Sequence, residues 1–127
     1  MSFDKNAGDL KKTHTTESAL AHMQQNIRDA LSFLEHMSLD EFCTDRKTFL
    51  ATTRCLEIIS EASRRLPEDL RARHPHINWK DVKGAGNVYR HDYEEIEEEK
   101  IYSTVKTFLP PLLLVVDAEL ANIPEDL

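Results

Sequence analysis

The chain has 127 residues, with 16 Lys and Arg against 23 Asp and Glu, a formal charge of −7 with neutral histidines. That length is one domain around a single core, and 40% hydrophobic content excludes wholesale disorder. Three glycines and five prolines argue against an all-β chain, which needs many tight turns. The acidic balance argues against a broad electrostatic binder of nucleic acid, though not against a local basic patch.

Residues 1–14 are polar, without an apolar signal region, and are expected as a flexible N-terminus. Thr15 or Thr16 is expected to cap a first helix, on which Leu20, Met23, Ile27, Leu31 and Leu34 recur at steps of three or four. Ser38 to Phe42 reads as a connector with one helical turn. Asp45 then caps a second long helix, Arg46 to Leu66, whose stripe is Phe49, Leu50, Leu56, Ile59, Ala62 and Leu66, broadened by Cys55 and Ile58. Cys43 and Cys55 read as small buried apolar residues of a reduced, cytoplasmic protein.

Pro67 starts a brief helix to Arg73, and His74-Pro75-His76 is a turn. Asn78 caps a third helix, Trp79 to His91, that carries Gly84 and Gly86. Each glycine costs about 1 kcal/mol relative to alanine inside a helix and calls for a packing or functional reason. A last helix, Glu95 to Leu120, buries Ile101, Val105, Phe108, Leu112 and Val116 and must kink or split at Pro110. Its acidic start, Asp117 and Glu119 are expected to face solvent. The longest apolar run, Leu112 to Val116, is too short to cross a bilayer, and no membrane partner is expected. Short connections between long helices give an all-α up-down bundle over residues 15–122, with 123–127 as a tail.

The densest polar cluster is Gly84 to Tyr93. His91 is the one side chain there that shuttles protons near neutral pH, and Arg90 can grip a phosphate through two donors. Metal-free RNA cleavage needs those functions: a base for the 2′-hydroxyl, a cation for the pentacoordinate phosphate and an acid for the leaving 5′-oxygen. From Arg64 to Arg90 seven basic residues oppose Glu68, Asp69 and Asp81, so this stretch can hold a polyanion, with Arg64, Arg65 and Lys83 as substrate contacts. His74 and His76 lack a carboxylate or thiol cluster that would complete a metal site, and no cofactor is expected.

Several blocks, in order, resemble the HepT-like family of the HEPN superfamily. Leu39 to Phe42 with Asp45 is similar to its connector. Arg54 to Leu66 is similar to its "LeiIGEAakrL" helix, with Ser60 where the family often has glycine. His74 to Asp81 resembles its "yPeipWreI" block, and Gly86 to Tyr93 falls on its "RNxxxHxY" motif. The resemblance implies a four- to five-helix HEPN-type bundle that dimerises. It implies a ribonuclease site at the dimer interface and a toxin role opposed by an MNT-type nucleotidyltransferase antitoxin that adenylylates the motif tyrosine. Carried over, His91 is the motif histidine, Asn87 the asparagine and Tyr93 the modifiable tyrosine. The motif arginine falls on Gly86. Arg90 is the obvious substitute, although on a regular helix it points about 100° from His91. The alternative is a catalytically silent HEPN module that binds nucleotide, RNA or a partner without cutting.

Overall fold

The computed structural model describes the backbone of residues 2–86 and 94–124 and the side chains of residues 14–86 and 97–124. Among them every regular element is helical: α1 (Ser2–Leu34), α2 (Leu39–Thr44), α3 (Arg46–Ser63), α4 (Glu68–Ala72), α5 (Trp79–Gly84), α6 (Glu94–Ser103) and α7 (Leu109–Ala121). The all-α bundle expected from periodicity is the observed fold.

α1 begins at Ser2, so the expected cap at Thr15 or Thr16 is not used. No proline interrupts residues 2–34, and alanine, lysine and leucine are good helix formers. The caps expected at Asp45 and Asn78 are used, and the connector's helical turn has a cap of its own. Ser38 and Glu41 form a reciprocal capping box on α2. Asp45 accepts from the Thr48 amide, and Asn78 accepts from the Asp81 amide.

α1 packs along α3 on one side and α7 on the other, and α2, α5 and α6 close the bundle around this trio. Leu20, Met23, Ile27 and Leu34 of α1 meet Leu56 and Ile59 of α3 and Leu109, Leu112 and Val116 of α7 in one continuous core. Phe42 sits at one end, tilted against Phe49 and Tyr102, and the Tyr102 hydroxyl donates to the Met37 carbonyl at 2.7 Å. Leu50, assigned to the core stripe from its spacing, is 52% exposed. α3 is half-wrapped by neighbours and Leu50 lies beyond the edge of that wrap. Cys43, expected inside, is exposed, whereas Cys55 is buried and desolvation pushes its thiol up to about 11.

Pro110 splits the last helix in a specific way. Residues Thr104–Phe108 form a π turn, and the Leu109 amide reaches back to the Thr104 carbonyl. Proline cannot donate to the carbonyl four residues earlier and its ring collides with it, so the ladder widens by one residue just before it. The stretch Glu97–Ala121 is long and apolar enough by composition to cross a bilayer, which the shorter unbroken apolar run does not reveal. Here Ile101, Val105, Leu109, Leu112, Val115 and Val116 are buried in the bundle.

Two acidic residues expected in solvent are inside. Glu119 is 8% exposed and accepts from Arg73 at 2.7 and 3.3 Å and bonds His74 at 2.6 Å, which ties the turn after α4 to α7. These hydrogen bonds hold its carboxyl below the usual carboxylate range. Glu97 of α6 is 5% exposed, and its Oε1 has no hydrogen-bond partner among the described residues.

Candidate functional site at the α3–α5 junction

The site grows from the C-terminal turns of α3. Two of its last residues, Ser60 and Ser63, carry buried hydroxyls. Ser63 turns its hydroxyl back to the Ser60 carbonyl at 2.7 Å. Ser60 instead donates outward, across to the carbonyl of Lys83 near the end of α5. Arg64 caps α3, and its Nη2 donates to the same Lys83 carbonyl at 3.1 Å. A single main-chain oxygen therefore collects two donors from α3. A helix's final carbonyls have no partner inside the helix, so this oxygen is a natural acceptor for both.

Gly86 completes the junction. It is buried, and a Cβ placed on it would lie 3.1 Å from the Glu57 Cα and 3.2 Å from the Ser60 Cβ. Both obstacles belong to a regular helix and cannot swing away. Gly84, two residues earlier, has no such neighbour within 4 Å. Of the two glycines flagged by the sequence, only Gly86 has a packing reason. The other side of α5 borders a groove of about 520 Å³, lined by Lys80, Asp81, Gly84 and Ala85 opposite Ser103, Thr104, Thr107 and Phe108. Trp79 anchors the start of α5 through its indole N–H, which donates to the Arg71 and His74 carbonyls at 3.0 and 3.1 Å.

Of the third helix expected over Trp79 to His91, residues 87–91 lie outside the described residues. Regular α-helix stops at Gly84 and the chain tightens through Ala85 and Gly86. Asn87, Arg90, His91 and Tyr93, the residues with proposed chemical roles, lie outside the described residues. Of the three predicted substrate contacts, Arg64 reaches the main chain of Lys83. Arg65 is carried away: its Nη2 lies 3.2 Å from the Nδ1 of His22 on α1. The remaining N–H groups of the exposed Arg64 have no partner among the described residues. Glu61, at the edge of the stripe, is exposed. The turn reading of His74-Pro75-His76 holds, with the two imidazoles edge to face at 6.0 Å.

Ser60 is the residue whose importance sequence reasoning missed, since a serine beside an apolar stripe reads as a minor packing change. The signal was the pairing of a larger residue at 60 with a missing side chain at 86.

Comparison with known proteins agrees with this architecture. The family model described as Ribonuclease HepT-like matches residues 23–119. A protein of Thermococcus cleftensis named "Probable ribonuclease HepT" is 32% identical over 103 residues, which cover 81% of this chain and 92% of that protein. A Methanocaldococcus jannaschii protein named "Putative RNase MJ0127" is 36% identical over 86 residues, 68% of this chain and 71% of its own. No solved structure matches the chain significantly.

Proposed function

Because the chain belongs to the Ribonuclease HepT-like family, we propose that it is a metal-independent endoribonuclease and the toxin of a toxin–antitoxin pair. The observation that carries this reading is the basic α3–α5 junction. The Arg64 guanidinium is held there on the main-chain carbonyl of Lys83, immediately before the stretch of chain that bears Asn87, Arg90 and His91. An acidic protein that concentrates cations beside a histidine-containing motif has what phosphodiester cleavage requires.

In the proposed reaction an imidazole of His91 takes the proton of a ribose 2′-hydroxyl. The 2′-oxygen attacks the adjacent phosphorus, and the bond from phosphorus to the 5′-oxygen breaks. The leaving oxygen takes a proton, and the products are a 2′,3′-cyclic phosphate and a 5′-hydroxyl. His91 of a second protomer supplies that proton if two copies meet at the site. Arg90 and the junction cations stabilise the charge that grows on the phosphate, the largest part of such catalysis, and Asn87 orients the phosphate or ribose. The partner in this reading is an MNT-type nucleotidyltransferase that silences the toxin by transferring AMP to the hydroxyl of Tyr93.

The test is incubation of the purified chain, with chelator present, on a mixed RNA substrate beside a His91→Ala control. Cleavage by the native chain alone, ending in cyclic phosphate, is the expected result. Intact RNA at high protein concentration, the same as the control, overturns the reading. Mass spectrometry of the chain co-expressed with a neighbouring nucleotidyltransferase is expected to add AMP at Tyr93, and an inhibited complex with unmodified Tyr93 rejects the modification.

A second reading, a silent HEPN module that binds without cutting, is favoured by Gly86, which supplies no cation and lies so close to α3 that even a Cβ there would be crowded. Binding of RNA without cleavage in the same assay selects it.

A further inference from the structure

Gly86 stands where the family motif carries arginine, and the bare reading of that departure is a lost cation. The structure gives it a different meaning. The α carbon of Gly86 lies against α3 so closely that an added Cβ would meet the Glu57 Cα at 3.1 Å and the Ser60 Cβ at 3.2 Å. That approach is also what lets the Lys83 carbonyl receive the Ser60 hydroxyl and the Arg64 guanidinium together. A side chain at 86 would crowd α3 by a few tenths of an ångström, and the displacement would fall on the segment that makes both hydrogen bonds. We infer that Gly86 and Ser60 form a packing pair that docks α5 on α3, and that this docking installs Arg64 as a phosphate-binding arginine of the RNA site.

The chemistry supports the assignment. A guanidinium has five N–H donors in a fixed plane. Arg64 uses one on the Lys83 carbonyl, which fixes the plane, and the exposed remainder can grip a phosphate through two parallel bonds. Fixing the plane beforehand lowers the entropy lost when RNA binds. The neighbouring cations are less well prepared. Arg65 is engaged with His22, and Arg73 is committed to Glu119. The inference rests on the chain acting on RNA, but it concerns binding, so the two ideas fail separately.

The experiment measures binding of a short 2′-O-methyl oligoribonucleotide, which lacks the attacking hydroxyl, by fluorescence anisotropy at several salt concentrations. Arg64→Gln is expected to weaken binding roughly tenfold or more, the loss typical of one charge-assisted contact. It should also make the slope of log affinity against log salt shallower by about one phosphate's worth. Arg28→Gln, which removes an exposed cation paired with Asp117 on the α1–α7 side, is expected to bind like the native chain. Equal affinity and equal slope for Arg64→Gln and native protein overturn the assignment, even if RNA is cleaved. Normal binding with no cleavage of unmodified RNA overturns the ribonuclease reading and leaves Arg64 standing. Native protein that does not bind RNA overturns both.

Thermal melts test the packing pair without any RNA. Gly86→Ala is expected to melt about 5 °C lower, and the loss should be smaller in a Ser60→Gly background. Equal losses in the two backgrounds overturn the coupling.

Discussion

Two glycines in one short helix look alike in sequence and differ completely in place. Gly84 ends α5 with open space where a Cβ would go, and its backbone is not in the left-handed region. Gly84→Ala is therefore expected to stabilise the protein by about 0.4–1 kcal/mol, because it restricts the unfolded chain more than the folded one, and chemical denaturation checks this. Glu119 is the opposite kind of residue, a buried acid whose partners are already in place. Glu119→Gln keeps the shape but loses the charge, and is expected to cost about 1–2 kcal/mol near neutral pH, where charge-assisted bonds are the stronger kind. The direction with pH follows from its lowered carboxyl. Its contribution is complete above the ordinary value of 4.5 and is lost as pH falls through the lower folded value. Urea unfolding should show the gap between native and variant closing in acid.

At the scale of elements, the α3–α5 junction depends on a helix only six residues long. A helix that short has little stability of its own. Its start is held by the Asn78 cap and the Trp79 indole, and its end by the two donors from α3. Asn78→Ala is expected to cost about 1 kcal/mol, as other N-cap losses do. Faster amide exchange in α5 than in α3 is the measurement that localises the effect. The caps at Asp45 and Asn78 were legible because a short polar side chain before an apolar pattern has few other uses. The start of α1 was not, because a possible cap at Thr15 is also an ordinary helical residue when nothing upstream breaks the helix. Pro110 announced an interruption, but a kink, a break and a π turn all begin with the same missing donor, and the packing of Val105 and Leu109 selects among them.

At the scale of the whole molecule, periodicity revealed the bundle because burial on one face of each helix is a local property of the sequence. The site was legible only in part. Arg64 and Lys83 are close in space because α3 and α5 dock, and no spacing rule connects residues nineteen positions apart. Arg65, adjacent to Arg64, leaves for α1, since neighbours on a helix end point in different directions. Glu119 could not be recognised as buried until Arg73 and His74 were seen beside it. A two-chain site also requires two chains: light scattering on the purified protein is expected to give twice the mass of the chain, and a single-chain mass at working concentration argues against a shared site.

The pairing of α1 with α7 has a consequence in time. Gln24 on α1 donates to Asp117 on α7 at 2.6 Å, 93 positions further along the chain, and the two helices share the core. Contacts between residues so far apart close only after α7 has left the ribosome, and they carry a slow, entropic loop-closure step. A nascent copy therefore spends its synthesis without a finished core. If the protein cuts RNA, the ribosome making it is spared until α7 has emerged.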